Sequence, residues 1–190
     1  RDSIEEDASA FFPRTSYPSR VQDINPGSYA RSEGKIKAQK FSALQIKSWF
    51  YPTFISGKPQ TLFNWGLLRI FVDQNGFLSA CFNNSELISS PFNLKTHIWY
   101  QLDFSVLVGG ELKLTISSEL KSCTGSVQSK IDVGLIQKLQ SQNEFFQIAG
   151  CQENSGESFN GKIEAPRFIV NDDEKAAWNF EESIHSLRVK

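Results

Sequence analysis

Residues 41–51 alternate apolar residues with small or polar ones, and this two-residue period constrains the fold more than any other feature of the chain. Such a period is typical of a β-strand with one buried face. Leu44 and Phe50 share one parity, whereas Phe41 and Trp49 take the other. Because both parities carry large apolar residues, we expect a bulge in this strand or an outer face that is partly covered.

Short segments of the same character follow, separated by turns rich in Gly, Asn and Ser. They are residues 60–65, 67–73, 76–82, 86–90, 98–107, 111–117, 145–150, 161–170 and 176–180. Turn residues at 73–76 and 108–110 predict two β-hairpins, and residues 130–141 carry the spacing of one short helix. Many short strands at regular spacing predict an all-β sandwich or barrel. Its core would use many of the 16 Phe, 4 Tyr and 4 Trp residues.

Length and composition predict one domain, since 190 residues lie within the usual range. Residues 1–35 are polar and interrupted by Pro and Gly, so we interpret them as an irregular lead-in packed on a sandwich formed by residues 36–190. The chain contains no methionine, which indicates a piece of a longer protein.

Charge and apolar content exclude two classes of partner. Lys and Arg (20) balance Asp and Glu (21), without the basic excess of a nucleic-acid-binding protein. No apolar run is long enough for a membrane helix. The cysteines Cys81, Cys123 and Cys151 lack CxxC spacing, which disfavours a zinc cluster and leaves open whether two of them pair. Without a disulfide pattern or a signal peptide, the sequence favours a cytoplasmic location.

Several motifs between residues 41 and 117 resemble, in order, the strands of laminin-G-like domains. These motifs are residues 44–53 (LQIKSWFYPT), 60–65 (QTLFNW), 73–78 (DQNGFL), 97–102 (HIWYQL) and 110–114 (GELKL). The resemblance implies a concanavalin A-like, laminin-G-like jelly-roll β-sandwich of two antiparallel sheets, with at most one or two short helices. It also implies an accessory or interaction domain.

A narrower resemblance lies near the end of the chain. Residues 159–167 (FNGKIEAPR) and 176–180 (AAWNF) are similar to two strands in the laminin-G-like region of N,N-dimethylformamidase large subunits. Asn179 and Glu181 stand where that family has Asp and Ser. In that family the amidase reaction resembles an iron-dependent hydrolysis in a separate domain, so no catalytic residue carries over to this chain. The resemblance implies a non-catalytic module of a larger amidohydrolase, with the other domains or subunits of that protein as partners.

The sequence offers no catalytic residues of its own. A glycosidase needs two facing carboxylates, but Asp103 and Glu164 stand alone on their strands. No nucleophile-elbow motif accompanies His97 or His185. We therefore predict that the chain is not an enzyme, with a carbohydrate-binding, lectin-like module as the alternative to an accessory domain.

Two groups of residues are candidates for ligand binding. Trp65, Asn64, Gln60 and Tyr51 would form a sugar-binding surface if they shared one face, although aromatic residues on strands are more often core. Trp99 and Tyr100 are a second aromatic pair with the same two interpretations.

A calcium site is the remaining cofactor hypothesis. Asp73 and Asn75 could supply two oxygen ligands, and Asp172 with Asp173 is a second candidate. Both groups equally fit turns in which the side chains bond the backbone, so the chain is expected to need no cofactor unless calcium binds there.

Overall fold

The alternating segment forms a long strand, β3 (Ala43–Pro52), whose residues switch strictly between half-exposed and buried positions. The structure is a computed structural model. It describes residues 29–55, 57–83, 85–119, 123–150 and 157–178. Within these ranges most of the regular secondary structure is β-strand.

The strands follow one another with short connections. They are β1 (Ala30–Arg31), β2 (Ile36–Lys37), β3 (Ala43–Pro52), β4 (Gln60–Trp65), β5 (Leu68–Val72), β6 (Phe77–Phe82), β7 (Ser85–Asn93), β8 (Tyr100–Leu107), β9 (Glu111–Ser118), β10 (Thr124–Lys130), β11 (Asn143–Glu144), β12 (Phe146–Ile148), β13 (Gly161–Val170) and β14 (Asp173–Ala177). One helix, α1 (Val133–Ser141), lies between β10 and β11. The Asp132 side chain caps it by accepting the Leu135 N–H at 2.9 Å.

The strands build two six-stranded antiparallel sheets. The first sheet has the order β1-β12-β4-β5-β6-β7, and the second has the order β10-β9-β8-β3-β13-β14. Strands β11 and β2 form a small additional pair. Several spatial neighbours, such as β3 and β8, are far apart in sequence, which is how a jelly-roll sandwich is connected.

The inner faces of the two sheets share one hydrophobic core. Rings dominate it, as the aromatic content predicts. Phe146 of the first sheet stacks on Phe63 with 5.6 Å between centroids, and its ring lies 4.9 Å from that of Phe168 in the second sheet. Trp65 is fully buried and also packs on Phe168, at 5.1 Å. Because rings from both sheets interdigitate, the core needs no other cross-link within the described residues.

The outer faces of the two sheets differ. In the first sheet, Thr61 and Ser79 are buried although they alternate with core residues. The segment beginning at Glu157 runs beside β4, where the Thr61 N–H donates to the Glu157 carbonyl at 2.6 Å and Arg69 pairs with the Glu157 carboxylate. In the second sheet the outward residues of β3 and β8 are half-buried or exposed. The accessible sheet surface therefore belongs to the second sheet.

Most predicted elements are confirmed, including the hairpin at residues 73–76, but one long strand was missed. Residues 124–130 form β10, which pairs with β9 along its whole length. Its sequence, TGSVQSK, has a single large apolar residue and so carries no two-residue hydrophobic signal. It is a strand because β9 supplies its hydrogen bonds. In addition, β7 packs closely on it, and Pro91 of β7 occupies the space that a side chain at Gly125 would need.

Other predicted boundaries were wrong by a few residues. The helix begins at Val133 rather than 130, since residues up to Lys130 belong to β10. The strand predicted at 176–180 is β14 (Asp173–Ala177), because Asn171 and Asp172, both with positive φ, make a two-residue hairpin turn after β13. Residues 179 and 180 lie outside the described residues. In the segment predicted as irregular, residues 1–35, Ala30–Arg31 forms β1 and pairs with β12. Ile36–Lys37, directly after that segment, pairs with β11.

The described part of the chain has no helix of sufficient length and apolar character to span a membrane.

Replacing Phe146 should test whether the shared ring cluster holds the sheets together. We expect Phe146→Ala to lower the free energy of unfolding by about 3–5 kcal/mol, because it empties a site between both sheets. Urea denaturation followed by circular dichroism measures this. Phe54→Ala, at a position that is 56% exposed, is the control and should change stability by less than about 0.5 kcal/mol. Equal effects of the two variants would contradict this description of the core.

Stability at high pH should depend on Tyr100. Burial raises the pKa of its phenol above the ordinary value of 10.0, while the Lys95 N–H that it accepts at 2.9 Å acts in the opposite direction. Because the pKa is higher in the folded state, Tyr100 keeps its proton to a higher pH in the folded chain than in the unfolded chain. The contribution of Tyr100 to the free energy of unfolding is therefore constant below about pH 10 and falls as the pH rises further. We expect this fall to be shallower in Tyr100→Phe than in the wild type when unfolding is measured from pH 9 upward.

Candidate functional site

The four residues predicted as a sugar-binding surface do not share one face. Gln60, Asn64 and Trp65 lie on β4 of the first sheet, whereas Tyr51 lies on β3 of the second. The side chain of Trp65 is completely buried, and its indole N–H donates to the Ile36 carbonyl at 3.2 Å. The expectation of a common surface is therefore corrected, because Trp65 is buried in the core and Gln60 and Asn64 belong to a different sheet from Tyr51.

The two amides of β4 act as internal hydrogen-bonding groups. Gln60 is 3% exposed and bonds the Phe54 carbonyl at 3.0 Å and the Asn160 N–H at 2.9 Å. Asn64 donates to the Gln147 side chain at 3.3 Å. These bonds tie β4 to the segments beside it, so the amides act structurally here.

The second predicted group, Asp73 and Asn75, forms a turn. The Asp73 carboxylate accepts the N–H groups of Asn75 at 2.8 Å and Phe77 at 2.9 Å. Gly76 follows with a φ of 84°, which closes the β5–β6 hairpin. The geometry is that of a side chain stabilising its own turn, and no group of three or more potential metal ligands occurs among the described residues. Calcium binding at Asp73 and Asn75 stays a prediction.

A different set of residues forms a surface depression on the outer face of the second sheet. It has a volume of about 280 Å³ and is lined by Trp49, Trp99, Glu119 and Glu164. The ring of Tyr51 lies 5.2 Å from that of Trp99 and extends the aromatic surface. We call Trp49, Tyr51 and Trp99 the aromatic patch.

The register of the second sheet arranges this surface in two rows across the strands. In one row Tyr51 stands beside Lys162 of β13 and Trp99, which directly precedes β8. The Glu119 N–H donates to the Trp99 carbonyl at 2.9 Å and continues the row onto the end of β9.

The other row lies two residues further along each strand. Trp49 occupies its centre, with Gln101 of β8 on one side and Glu164 of β13 on the other. Neighbouring strands are about 4.8 Å apart, and residues two apart on a strand face the same side. The three aromatic residues are therefore adjacent, with a carboxylate at each side of the pair of indoles.

A β-bulge places Glu164 beside Trp49. The pairing of β13 with β3 shifts between Glu164 and Arg167, where Ala165 has a φ of 45° and Pro166 cannot donate to the ladder. The buried Ser48 hydroxyl donates to the Glu164 carbonyl at 2.9 Å and stabilises the irregular backbone. Before the bulge, Lys162 and Glu164 thus face outward next to the aromatic patch.

The edge of the patch is held by the segment before β8. The His97 N–H donates to the Pro52 carbonyl at 2.8 Å, and the His97 ring meets Tyr51 edge-on at 6.0 Å. The Lys162 ammonium lies 5.6 Å from the Tyr51 ring. These contacts fix the Tyr51 ring from two sides and leave the aromatic patch on rigid strand positions.

Sequence reasoning found Tyr51 and Trp99 but placed them in separate groups, and it assigned Tyr100 to the same surface as Trp99. Tyr100 instead points into the core, where its ring stacks on Phe50 at 5.6 Å. Trp49, Glu119 and Glu164 were not predicted as site residues. The available signal was parity, because Gln45 and Lys47 share the parity of Trp49 and mark that side of β3 as outward.

Comparison with known proteins supports the fold alone. No family model matches the chain, and no curated protein matches it. Among solved structures, it is similar to the LG1-3 region of the laminin alpha2 chain, with a TM-score of 0.56, 10% identity, and coverage of 82% of this chain and 31% of that one. It is also similar to tailspike protein 2 of an Escherichia coli O157:H7 bacteriophage, with a TM-score of 0.54, 8% identity, and coverage of 75% and 21%.

The chain therefore spans less than a third of the laminin chain and about a fifth of the tailspike. The two packed sheets and the likeness to a laminin-G region confirm the predicted fold class, a laminin-G-like, concanavalin A-like jelly-roll β-sandwich.

The turn function of Asp73 can be tested without metal. We expect Asp73→Ala to lower the free energy of unfolding by about 1–2 kcal/mol in the presence of EDTA, because two backbone N–H groups lose their acceptor. Asn75→Ala is the control, since only the backbone of Asn75 takes part in these bonds. A difference in stability between the wild type and Asp73→Ala that appears only when calcium is added would instead support a metal site, because bound calcium stabilises the folded wild type.

Proposed function

We propose that this chain is a non-catalytic binding module and that the aromatic patch binds a glycan. The observation that carries the proposal is the group of three neighbouring aromatic side chains, Trp49, Tyr51 and Trp99, on the outer face of the second sheet. Aromatic residues on strands are normally buried in the core, as Trp65 is here. A cluster left at the surface of a domain is typical of an interaction site.

The chemistry of the surface suits a sugar better than a purely apolar partner. Sugar rings present C–H groups to the electron-rich faces of indole and phenol rings. Their hydroxyl groups need hydrogen-bond acceptors and donors, which Glu119, Glu164 and Gln101 provide around the rings. The shallow depression is open along the strand rows, so an extended oligosaccharide can lie across it.

The finer sequence prediction, an accessory domain of an amidohydrolase resembling N,N-dimethylformamidase, has no support from the comparisons. It rests on β13 and on residues 176–180, of which the last two lie outside the described residues. If the chain belongs to such a protein, the aromatic patch would be the candidate contact for another domain. We rank this second because carboxylates flank the aromatic rings, whereas contacts between domains are depleted in charge at their centre.

Removing the indoles should abolish glycan binding without unfolding the chain. We propose to screen the purified chain on an array of neutral, acidic and amino-sugar oligosaccharides and to titrate the strongest ligand by calorimetry. We expect a Kd in the micromolar to millimolar range, and at least about a tenfold loss in Trp49→Ala and in Trp99→Ala.

Phe54→Ala is the matched control, because it removes an exposed ring outside the patch. Thermal unfolding of each variant checks that the fold is intact. The proposal fails if no glycan binds, or if Phe54→Ala weakens binding as much as the tryptophan variants do. Release of reducing ends during incubation would contradict the non-catalytic assignment.

A further inference from the structure

The two carboxylates of the depression have no cationic partner among the described residues. The basic side chains near them are engaged elsewhere. The Lys47 ammonium lies 3.4 Å from the Asp103 carboxylate, Arg167 lies 3.7 Å from Glu174, and Lys162 faces the Tyr51 ring. Within the described residues, Glu119 and Glu164 therefore form no ion pair, and they lie on either side of Trp49 and Trp99.

The positions of Glu119 and Glu164 in the sheet determine how far apart the two carboxylates lie. Glu119 follows β9 and Glu164 lies on β13, with β8 and β3 between them. Three interstrand spacings amount to about 14 Å between the backbones. Both side chains line the same depression, so a ligand that crosses the strands meets a carboxylate before and after the indole rings.

Indole faces add to the preference for a positive ligand. The negative face of an aromatic ring attracts an ammonium group, and tryptophan does so most strongly. In this depression the indoles and carboxylates act in the same direction. Lys162 lies in the row of Tyr51, with its ammonium 5.6 Å from that ring, whereas Glu164 lies in the row of Trp49.

We infer that the ligand of the aromatic patch is a glycan with free amino groups, an oligosaccharide of unacetylated amino sugars, bound by charge pairing to Glu119 and Glu164 while its rings stack on Trp49 and Trp99. The inference rests on the proposed glycan binding and narrows it to one class. The same carboxylates disfavour anionic glycans, and neutral glycans gain ring stacking and hydrogen bonds but no charge pairing.

Three hexasaccharides with the same β-1,4 linkage test this. They are the glucosamine hexamer, its N-acetylated form and the glucose hexamer, titrated by calorimetry at low salt and at a mildly acidic pH at which the sugar amines are protonated. Each exposed charge pair contributes about two- to fivefold in affinity, so we expect the glucosamine hexamer to bind roughly tenfold more tightly than the other two. Raising the salt concentration should remove most of this difference.

The variants Glu119→Gln and Glu164→Gln, alone and combined, identify the groups responsible. The double variant should bind the glucosamine hexamer about as weakly as the glucose hexamer. Glu111→Gln is the matched control, since Glu111 lies at the opposite end of β9, roughly 25 Å from Glu119. It should leave the selectivity unchanged.

The remaining outcomes separate the two proposals. If all three hexamers bind equally and the glutamine variants have no effect, the inference is overturned while glycan binding stands. If none of the hexamers and no glycan on the array binds, both are overturned. If a lysine-rich peptide binds in a manner sensitive to Glu164→Gln and the glucosamine hexamer does not, the charge preference is right and the ligand class is wrong, which also overturns the inference.

Discussion

The register of β3 is the constraint on which the rest of the structure depends. One parity of this strand supplies Leu44, Ile46 and Phe50 to the core, and the other presents Trp49 and Tyr51 at the surface. Hydrogen bonds to β8 and β13 on both sides hold this register. A slip by one residue would exchange the two faces, so the core and the aromatic patch depend on the same pairing.

Strands with a clear two-residue hydrophobic period could be predicted from the sequence. Strands that depend on pairing with a neighbouring strand could not. Strands such as β3 and β8 alternate between buried and accessible positions and were predicted. In contrast, β10 is polar throughout except for Val127, and its strand conformation comes from pairing with β9. Long-range hydrogen bonding of this kind leaves no local signal.

The candidate site could also be predicted only in part from the sequence, but for a different reason. Composition identifies aromatic residues but not which of them reach the surface. Trp65 and Trp49 both lie on strands, yet Trp65 faces the core and packs on Phe168, whereas Trp49 faces outward and lines the depression. Glu164 reaches the patch only through the bulge at Ala165 and Pro166. Neither the direction in which Trp65 points nor the direction of the bulge follows from a local pattern, although Pro166 inside a strand indicates an irregularity.

The position of the patch also explains how a shallow surface can be selective. Trp49 and Tyr51 lie on a strand that is paired on both sides, and Trp99 is held by the backbone bond from Glu119. Side chains on such positions lose little conformational freedom when a ligand binds. A flat face therefore binds through the placement of its rings and charges rather than through enclosure. In the next row Lys47 and Asp103 form an ion pair, whereas Glu119 and Glu164, which line the depression with the indoles, form none among the described residues.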